Sequence, residues 1–330
     1  MKNNYDFIAI GDTVTDAFIR LETPSAHIDI DRGNREICMR FAEKIPYKDV
    51  TVVPAVGNSA NAAVSAARLG LKSALVSNVG DDYFGKECLD ALVKEGVATK
   101  FITIHKDQKT NYHYVLWYED DRTILIKHEE YTYTLPDIKT PCWLYFSSLG
   151  GNSLSFHRVV EQYLRDHSDI KLAFQPGTFQ IKMGAKVLED IYARSEVFFC
   201  NKEESQRILE TNEDNIKKLL SMMRTLGPRI VVITDGVKGA YAFDGKDALF
   251  MRAYPDPKPP FERTGAGDAF SSTFTAVLAL GMGIEDALRW APINSMSVVQ
   301  YVGAREGLLT REKLEQFLAD APQDYQPEKI

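Results

Sequence analysis

The sequence predicts an α/β fold: a doubly wound, mostly parallel sheet flanked by helices, with a small antiparallel β lid. Short apolar segments alternate with amphipathic helical segments over most of the chain, and this rhythm is typical of a parallel sheet covered by helices. Near residues 101–135 the rhythm gives way to segments rich in β-branched and aromatic residues, which indicate an inserted antiparallel sheet. We therefore expect one domain over 1–330, with a lid formed by parts of 13–55 and 101–135.

The composition is typical of a protein that folds around a large core. The 330 residues are 45% hydrophobic and 26% charged, and a chain of this length needs neither disulfides nor a metal to hold it together. Its four cysteines are scattered, without a Cys-x-x-Cys pair, which predicts no zinc site and no disulfide framework. Residues 1–6 lack the features of a signal peptide. We expect a cytoplasmic protein.

The net charge of −7 at pH 7 bears on the choice of partner. A nucleic-acid-binding protein normally carries a basic stripe, and none is visible in this sequence. No stretch approaches 18 consecutive apolar residues, so no membrane-spanning helix is expected. We therefore expect a small-molecule partner, with no nucleic acid and no membrane.

The first hundred residues are predicted to begin the alternation of strands and helices. A strand covers 7–10, and residues 17–55 are too irregular and too rich in charge for any element to be assigned. Ser59 is expected to be the N-cap of an Ala-rich helix that ends at Gly70. A short strand at 74–76 and an amphipathic helix over 84–95 follow.

The predicted lid contains three strands, at 101–104, 112–118 and 123–126. The turn Glu119-Asp120-Asp121-Arg122 separates the last two of them, as in a hairpin. After Pro136 the alternation of strands and helices returns. Strands are predicted at 143–147, 171–174, 197–200 and 230–234, and helices at 153–167, 213–226, 266–280, from 284 with an interruption or kink at Pro292, and at 310–318. The tail from Pro322 is expected to be loose.

The segment Gly265-Ala266-Gly267-Asp268 carries the clearest chemical signal. Its two glycines let the backbone turn tightly at the start of a helix, where unpaired N–H groups and the helix dipole favour a phosphate or a developing anion. Asp268 would lie in the first turn, where a carboxylate can take a proton from a substrate hydroxyl. The same residues also suit an ordinary loop-to-helix junction with an acidic residue near the helix start.

Five segments together resemble the ribokinase-like carbohydrate kinase family, also called the PfkB family. The segment Thr264-Gly265-Ala266-Gly267-Asp268-Ala269-Phe270 resembles the C-terminal signature of that family. The other four, in the order of the family, are 56–85 for the N-terminal signature, 201–204 for the N-x-x-E motif, 234–239 for the nucleotide loop and 303–304 for a late motif beside the nucleotide. Because these matches span nearly the whole chain, the protein is identified as a member of the family.

The resemblance implies an ATP-dependent small-molecule kinase, a phosphotransferase that moves the γ-phosphate to a hydroxyl of a sugar or sugar-like acceptor. Asp268 would be the base, and Gly265, Ala266 and Gly267 would form the anion hole. ATP and Mg²⁺ would neutralise and align the reacting groups, as phosphoryl transfer requires. The residues implied for cofactor binding are Asn201, Glu204, Thr234, Gly236, Gly239 and Gly303, with Glu204 holding Mg²⁺ through water. Those implied for the acceptor are Asp16, Gly57, Asn58 and Asn61.

The sequence departs from the family pattern at three places. Only Gly57 precedes Asn58, where the family usually has two glycines. Glu262-Arg263-Thr264 stands where the family often has Asp-Thr-Thr, and the aspartate there helps to frame a monovalent-cation site, so the departure argues against activation by K⁺. Arg263 could contact a phosphate or be solvated. Val14 replaces an asparagine that binds sugar in ribokinases, which argues against ribose.

Two alternative functions stay open at this point. An adenosine-type nucleoside kinase uses the same chemistry, and the apolar Val14 and the aromatic residues of 112–118 would suit a base. A non-catalytic ligand-binding relative is the other, although intact Asp268, Asn201 and Glu204 argue against it. The resemblance also implies a homodimer formed through the lid. Asn61 could instead bond its own backbone, and His128 on the lid is expected to be an exposed strand residue.

Overall fold

The computed structural model describes residues 5–31, 34–119 and 121–330. Residues 1–4 of the N-terminal segment and Asp120 of the predicted turn lie outside the described residues. The strands within this part of the chain are β1 (Phe7–Ile10), β2 (Val14–Arg20), β3 (His27–Asp31), β4 (Asn34–Cys38), β5 (Asp49–Val56), β6 (Ser73–Gly80), β7 (Ala98–His105), β8 (Tyr112–Tyr118), β9 (Asp121–Leu125), β10 (Trp143–Phe146), β11 (Lys171–Phe174), β12 (Ser195–Asn201), β13 (Ile230–Thr234), β14 (Ala240–Phe243), β15 (Ala248–Met251) and β16 (Glu328–Lys329).

The helices described are α1 (Asn58–Arg68), α2 (Tyr83–Lys94), α3 (Leu154–Asp166), α4 (Thr178–Met183), α5 (Glu189–Arg194), α6 (Lys202–Ile208), α7 (Ile216–Arg224), α8 (Ala266–Ala279), α9 (Ile284–Val298) and α10 (Arg311–Ala319). A short 3₁₀ turn, Gly236–Lys238, follows β13. Within the described ranges, no helix has both the length and the apolar character needed to cross a membrane.

The main sheet has the order β16-β15-β14-β13-β12-β11-β10-β1-β6-β7. The seven strands from β13 to β7 run parallel, and the remaining three add an antiparallel edge. From β1 the chain builds outward to β6 and β7, and it later returns to the other side of β1 as β10. The strand order therefore reverses between β1 and β10, and ligands of doubly wound sheets bind at such a point, outside the carboxyl ends of the strands.

The core lies on both faces of this sheet, because successive side chains of a strand point to opposite faces. Phe7 and Ala9 pack with α1, α2, α8, α9 and α10. Ile8 and Ile10 pack with α3, α5, α6 and α7. Burial of β1 on both faces explains its continuous run of apolar residues. The predicted doubly wound α/β fold is confirmed.

A second sheet of order β5-β2-β8-β9 forms the lid. Its two outer strand pairs are antiparallel, while the central pair of β2 and β8 is parallel. The prediction that 101–104 belongs to the lid was wrong, because these residues lie in β7 and pair with β6 at the edge of the main sheet. Strand composition alone does not say which sheet a strand joins. The lid strands come from 14–56 and 112–125.

Residues 17–55, predicted to be irregular, contain most of β2 and β5 and all of β3 and β4. Charged residues make up much of β3 and β4, and β5 contains Pro54. Aspartate, glutamate and proline are uncommon in strands, so these residues weaken the strand signal of the segment.

Three further local predictions were wrong. Gly57, not Ser59, is the N-cap of α1, and the Ser59 hydroxyl donates instead to the carbonyl of Ile10. Helix α9 runs without a break through Pro292, so the interruption predicted as one alternative to a kink is wrong. The tail beyond Pro322 is packed, since Tyr325 is fully buried and β16 pairs with β15. For Ser59 and the tail, a contact with a distant part of the chain outweighs the local signal.

Candidate functional site

Two adjoining cavities lie at the carboxyl ends of the parallel strands. The large cavity has a volume of about 390 Å³ and lies between the ends of β1, β11 and β12, the lid and the start of α8. The small cavity has a volume of about 270 Å³ and lies between the 3₁₀ turn after β13, the loop before α8, and α9. Five residues line both cavities: Thr234, Arg263, Ala266, Gly267 and Phe270. A ligand can therefore extend from one cavity into the other past the start of α8.

The N-terminus of α8 lies at this junction. Gly265 is its N-cap with φ of 84°, and no side-chain hydrogen bond caps the helix. A Cβ atom at position 265 would lie 2.2 Å from the Cβ atom of Ala304, whereas a Cβ atom at Gly267 would meet nothing within 4 Å. Gly265 is therefore required by the backbone and its packing, while Gly267 leaves open space in front of the first-turn N–H groups. This arrangement can hold an anion.

Asp268 lines the large cavity and is held by two amides. Its Oδ2 atom accepts a hydrogen bond of 2.8 Å from Asn61 Nδ2, and its Oδ1 atom accepts one of 3.2 Å from Gln175 Nε2. Burial raises the pKa of Asp268 to about 6, although both amide bonds oppose the shift. A carboxylate with this pKa is largely ionised at neutral pH and still accepts a proton readily, which is the property of a general base.

All four residues predicted to bind the acceptor line the large cavity: Asp16, Gly57, Asn58 and Asn61. Gly57 has φ of 107°, and a Cβ atom there would lie 2.8 Å from the carbonyl oxygen of Asp12. Asn61 is buried, and its amide donates to Asp268 rather than to its own backbone. The single glycine before Asn58 therefore leaves this part of the cavity intact.

Asn201 and Glu204 line the large cavity at the end of β12. Asn201 Oδ1 accepts from the Glu204 N–H at 2.8 Å, and Glu204 Oε2 accepts from the Asn201 N–H at 2.9 Å. This capping box starts α6 and fixes both side chains. Burial raises the pKa of Glu204. The pair therefore caps α6 and also holds the Glu204 carboxylate in a fixed orientation at the cavity.

Of the four remaining predicted residues, three line the small cavity and the fourth, Gly303, faces the lid. Thr234, Gly236 and Gly239 line the small cavity, as predicted for a nucleotide loop. Gly303 lines neither cavity, and the position of its missing Cβ faces Val53 and Phe18 of the lid. Its assignment beside the nucleotide stays a prediction; its neighbour Ala304 packs against Gly265.

Several residues of the large cavity were not predicted from the sequence: Asp12, His113, Arg122, His128, Gln175 and Phe179. Gln175 directly follows β11, so its place at the carboxyl end of a parallel strand could have been inferred. The two histidines carry no such signal, because the face that His113 of β8 presents depends on strand pairing and His128 lies in the loop after β9. The prediction that His128 is exposed was wrong, since its side chain is only 16% exposed.

Comparison with known proteins agrees with this geometry. Residues 25–311 match a family model described as "pfkB family carbohydrate kinase". The chain belongs to the PfkB family. Its members are carbohydrate kinases, so the predicted enzyme class, a phosphotransferase with an alcohol group as acceptor, is confirmed.

Among the relatives of this PfkB kinase, a ribokinase of Bacillus subtilis is 30% identical over 274 residues, which are 80% of this chain and 87% of that protein. A nucleoside kinase of Methanothermobacter thermautotrophicus is 24% identical over 324 residues, 97% of either chain. The structure of Arabidopsis thaliana ribokinase complexed with ribose and ATP aligns with a TM-score of 0.76 at 18% identity and covers 94% of this chain and 98% of that one. The last comparison supports the fold.

Proposed function

We propose that this PfkB kinase transfers the γ-phosphate of ATP to a hydroxyl of a sugar or sugar-like acceptor, with Asp268 as the base. One observation carries the proposal: the first turn of α8 lies where the two cavities meet, with Asp268 lining the large cavity and Gly267 lining both. In this proposal Asp268 would accept the proton on the side of the large cavity, and anion-binding amides would lie between the two cavities.

The small cavity suits the nucleotide part of ATP. Its lining includes the apolar side chains of Val237, Pro292, Met296 and Val299, beside the loop of Gly236 and Gly239. The triphosphate would then pass the junction, where Arg263 is the one arginine or lysine among the described residues that line both cavities. Arg263 would contact a phosphate there.

In the reaction, the acceptor hydroxyl lies in the large cavity and donates its proton to Asp268 as its oxygen attacks the γ-phosphorus. The bond from the γ-phosphorus to the β–γ bridging oxygen breaks, and ADP leaves. N–H groups of Ala266 and Gly267 stabilise the negative charge on the transferred group. Asn61 and Gln175 keep the carboxylate of Asp268 oriented toward the acceptor throughout. The lid would exclude water from the cavity.

The residues present also fit Mg²⁺ bound together with the phosphates of ATP. Among the described residues, no group of three His, Cys, Asp or Glu side chains is arranged to hold a metal by itself. Mg²⁺ commonly needs only one or two carboxylates, with water and phosphate oxygens as its other ligands, and Glu204 supplies such a carboxylate. When bound, Mg²⁺ would neutralise charge on the phosphates.

We infer that the kinase does not need K⁺, because Arg122 of the lid stands near the buried carboxylate of Glu262. Glu262 is fully buried, and its Oε1 atom accepts from the Thr264 N–H at 2.8 Å. Arg122 Nε lies 3.7 Å from the same oxygen. The positively charged guanidinium at this distance offsets the buried negative charge of Glu262, as a bound K⁺ would.

A nucleoside acceptor is the second candidate, favoured by the nucleoside kinase relative that matches 97% of this chain. Val14, Ile124 and Phe179 line the large cavity, and such apolar surfaces could contact a base. A ribokinase-like sugar acceptor and a nucleoside would use the same Asp268.

The test is a coupled assay of ADP release with ATP, Mg²⁺ and a panel of sugars, sugar acids, sugar phosphates and nucleosides, each with and without K⁺. We expect acceptor-dependent ADP release that is equal in both salts and absent from Asp268→Asn. Thermal stabilisation by panel compounds without any turnover would instead indicate a non-catalytic binding protein.

A further inference from the structure

The large cavity contains a cluster of buried polar atoms without hydrogen-bond partners. Five of its lining residues carry one such atom each: Asp12 Oδ1, Asp16 Oδ1, Asn61 Oδ1, His113 Nε2 and His128 Nδ1. Buried polar groups are nearly always hydrogen-bonded, and leaving one unpaired costs about 1–3 kcal/mol. Their concentration in one cavity indicates a ligand that pairs with all of them.

Four of these atoms belong to two aspartate–histidine pairs. His113 Nδ1 lies 3.4 Å from Asp16 Oδ1, and His128 Nδ1 lies 3.4 Å from Asp12 Oδ2. The two imidazole rings are 5.2 Å apart, so the pairs lie side by side. Both aspartates are more than nine-tenths buried.

The lid and the main sheet together create this arrangement. Asp16 of β2 and His113 of β8 are register partners in the lid. Asp12 follows β1, and its Oδ2 atom accepts hydrogen bonds of 2.8 Å from the Tyr133 hydroxyl and the Gly150 N–H. Its other oxygen stays without a partner.

Each pair offers a hydrogen-bond acceptor beside a ring nitrogen. An ionised carboxylate only accepts, whereas an imidazole N–H donates. A hydroxyl both donates and accepts, so one hydroxyl, or two on neighbouring carbons, can satisfy a carboxylate oxygen and a ring nitrogen together. Two such pairs call for hydroxyls at two places on the acceptor, besides the hydroxyl that reaches Asp268.

Anionic acceptors fit this lining poorly. A carboxylate or phosphate has only acceptor oxygens, and these would face the oxygens of Asp12 and Asp16. Arg122, the arginine on the lid side, already lies 3.3 Å from Asp121 and 3.7 Å from Glu262. Arg263 lies at the junction proposed for the ATP phosphates. The ribose of a nucleoside has two hydroxyls on neighbouring carbons that could pair with one aspartate and histidine, but the base has no hydroxyl for the second pair.

We propose that the acceptor is a neutral polyhydroxy compound, a sugar or polyol without a charged group, and that His113 and His128 determine this specificity. The proposal rests on the proposed kinase function and names its acceptor class. Neither histidine takes part in phosphoryl transfer.

The experiment measures both binding, by thermal shift and calorimetry without ATP, and turnover, by ADP release. The probes are ribose, fructose, glucose and inositol as neutral compounds, gluconate as a sugar acid, fructose 6-phosphate as a sugar phosphate, and adenosine and cytidine as nucleosides. We expect binding and turnover with one of the neutral sugars or inositol, and with none of the nucleosides, the sugar acid or the sugar phosphate. Deoxy analogues of that compound then locate the hydroxyls that face the two pairs.

Substitutions separate recognition from packing. His113→Phe and His128→Phe keep an aromatic ring and remove its nitrogens, so the Kd and KM of the neutral acceptor should rise about 10- to 100-fold, with kcat and the KM of ATP changed less than about threefold. His113→Gln and His128→Asn replace the unpaired nitrogen with an amide donor and should recover most of the affinity. His27→Phe, at an exposed histidine of β3, is the matched control and should bind like the wild type.

The outcomes separate the two proposals. Turnover of a nucleoside, sugar acid or sugar phosphate alone would overturn the neutral acceptor and keep the kinase. Binding of a neutral compound that depends on both histidines, without turnover, would keep the acceptor class and overturn the kinase. Binding of no compound, or an unchanged Kd in both Phe variants, would overturn the role of the histidines.

Discussion

At the scale of single residues, Gly265, Gly267 and Asp268 at the start of α8 each have a different structural environment. Gly265 is needed by its positive φ and by Ala304, whereas Gly267 has free space in front of it. Asp268 is oriented by Asn61 and Gln175. These differences make the roles of the three residues separable by substitution.

We expect Asp268→Asn to lower kcat at least about 100-fold, because an amide cannot accept the proton of the acceptor and a general base typically contributes 10²–10⁴. ATP and acceptor should still stabilise the variant in a thermal shift assay. Ionisation of Asp268 opposes folding at neutral pH, since its folded pKa of about 6 exceeds the ordinary value of 3.8 for an aspartate. The Tm of the variant should therefore not fall. Turnover near that of the wild type would remove Asp268 from the mechanism.

The pKa of Asp268 also predicts the pH dependence of the rate. Because burial raises it to about 6, the base is ionised above that pH and protonated below it. We expect kcat/KM for the acceptor to fall about tenfold for each pH unit below 6 and to stay level from pH 7 to 8. A pH profile of kcat/KM measures this, because kcat/KM reports the pKa values of the free enzyme. If the rate fell only near pH 4, Asp268 would not be desolvated.

Gly267→Val should lower kcat strongly while the protein stays folded, because the side chain enters open space in front of the anion-binding amides. The loss of one oriented donor is worth about 3–4 kcal/mol in other enzymes. Gly265→Val is the contrasting variant, since its Cβ atom would collide with Ala304, and we expect it to lose Tm as well. Unchanged kcat in Gly267→Val would contradict the anion hole.

At the scale of elements, the β12–α6 junction uses the same two side chains for a helix cap and for part of the cavity wall. Asn201 and Glu204 form the capping box of α6 and line the large cavity. A glutamine at position 204 can still accept the Asn201 N–H through its carbonyl oxygen. The cap should therefore survive a substitution that removes the negative charge.

We accordingly expect Glu204→Gln to raise the Mg²⁺ concentration needed for half-maximal activity more than it raises the KM of the acceptor. Titration of Mg²⁺ at fixed ATP, and of the acceptor at saturating Mg²⁺, separates the two effects. The unchanged Tm of the variant is the control for the cap. An effect confined to the acceptor KM would place Glu204 on the acceptor side.

At the scale of the whole molecule, the lid has two faces of different character. Val52, Ala17, Tyr114 and Leu125 are aligned across its four strands, and the side chains of Val52, Tyr114 and Leu125 are about half exposed. The neighbouring register row contains Asp16 and His113, which face the large cavity. Alternation along the strands thus gives one ligand-facing and one outward apolar face.

We propose that the outward lid face, Val52, Tyr114 and Leu125, contacts a second copy of the chain. Light scattering after size exclusion should then give the mass of a dimer for the wild type and of a monomer for Val52→Lys. Val159→Lys, at an exposed residue of α3, is the matched control and should stay dimeric. A wild-type monomer at micromolar concentration would contradict this interface.

The sequence by itself determined the features that depend on local chemistry. The apolar run of β1, the Gly-rich start of α8 and the capping residues of α6 each follow from a few neighbouring residues, and the family motifs lie within short segments. Most of the predicted site was therefore within reach: Asp268, Glu204, Asn61 and their neighbours do line one cavity.

Only the tertiary structure decided which distant residues share that cavity. Strand β7 has the composition of a lid strand and joins the main sheet, and the Cβ position of Gly303 faces Val53 and Phe18 of the lid. His113 and His128 approach Asp16 and Asp12 through strand pairing and loop packing that join positions about 100 residues apart, and no local pattern encodes such pairing. Because side chains alternate along a strand, either alternate set of residues could face the cavity. The pairing with the partner strand decides which set does so.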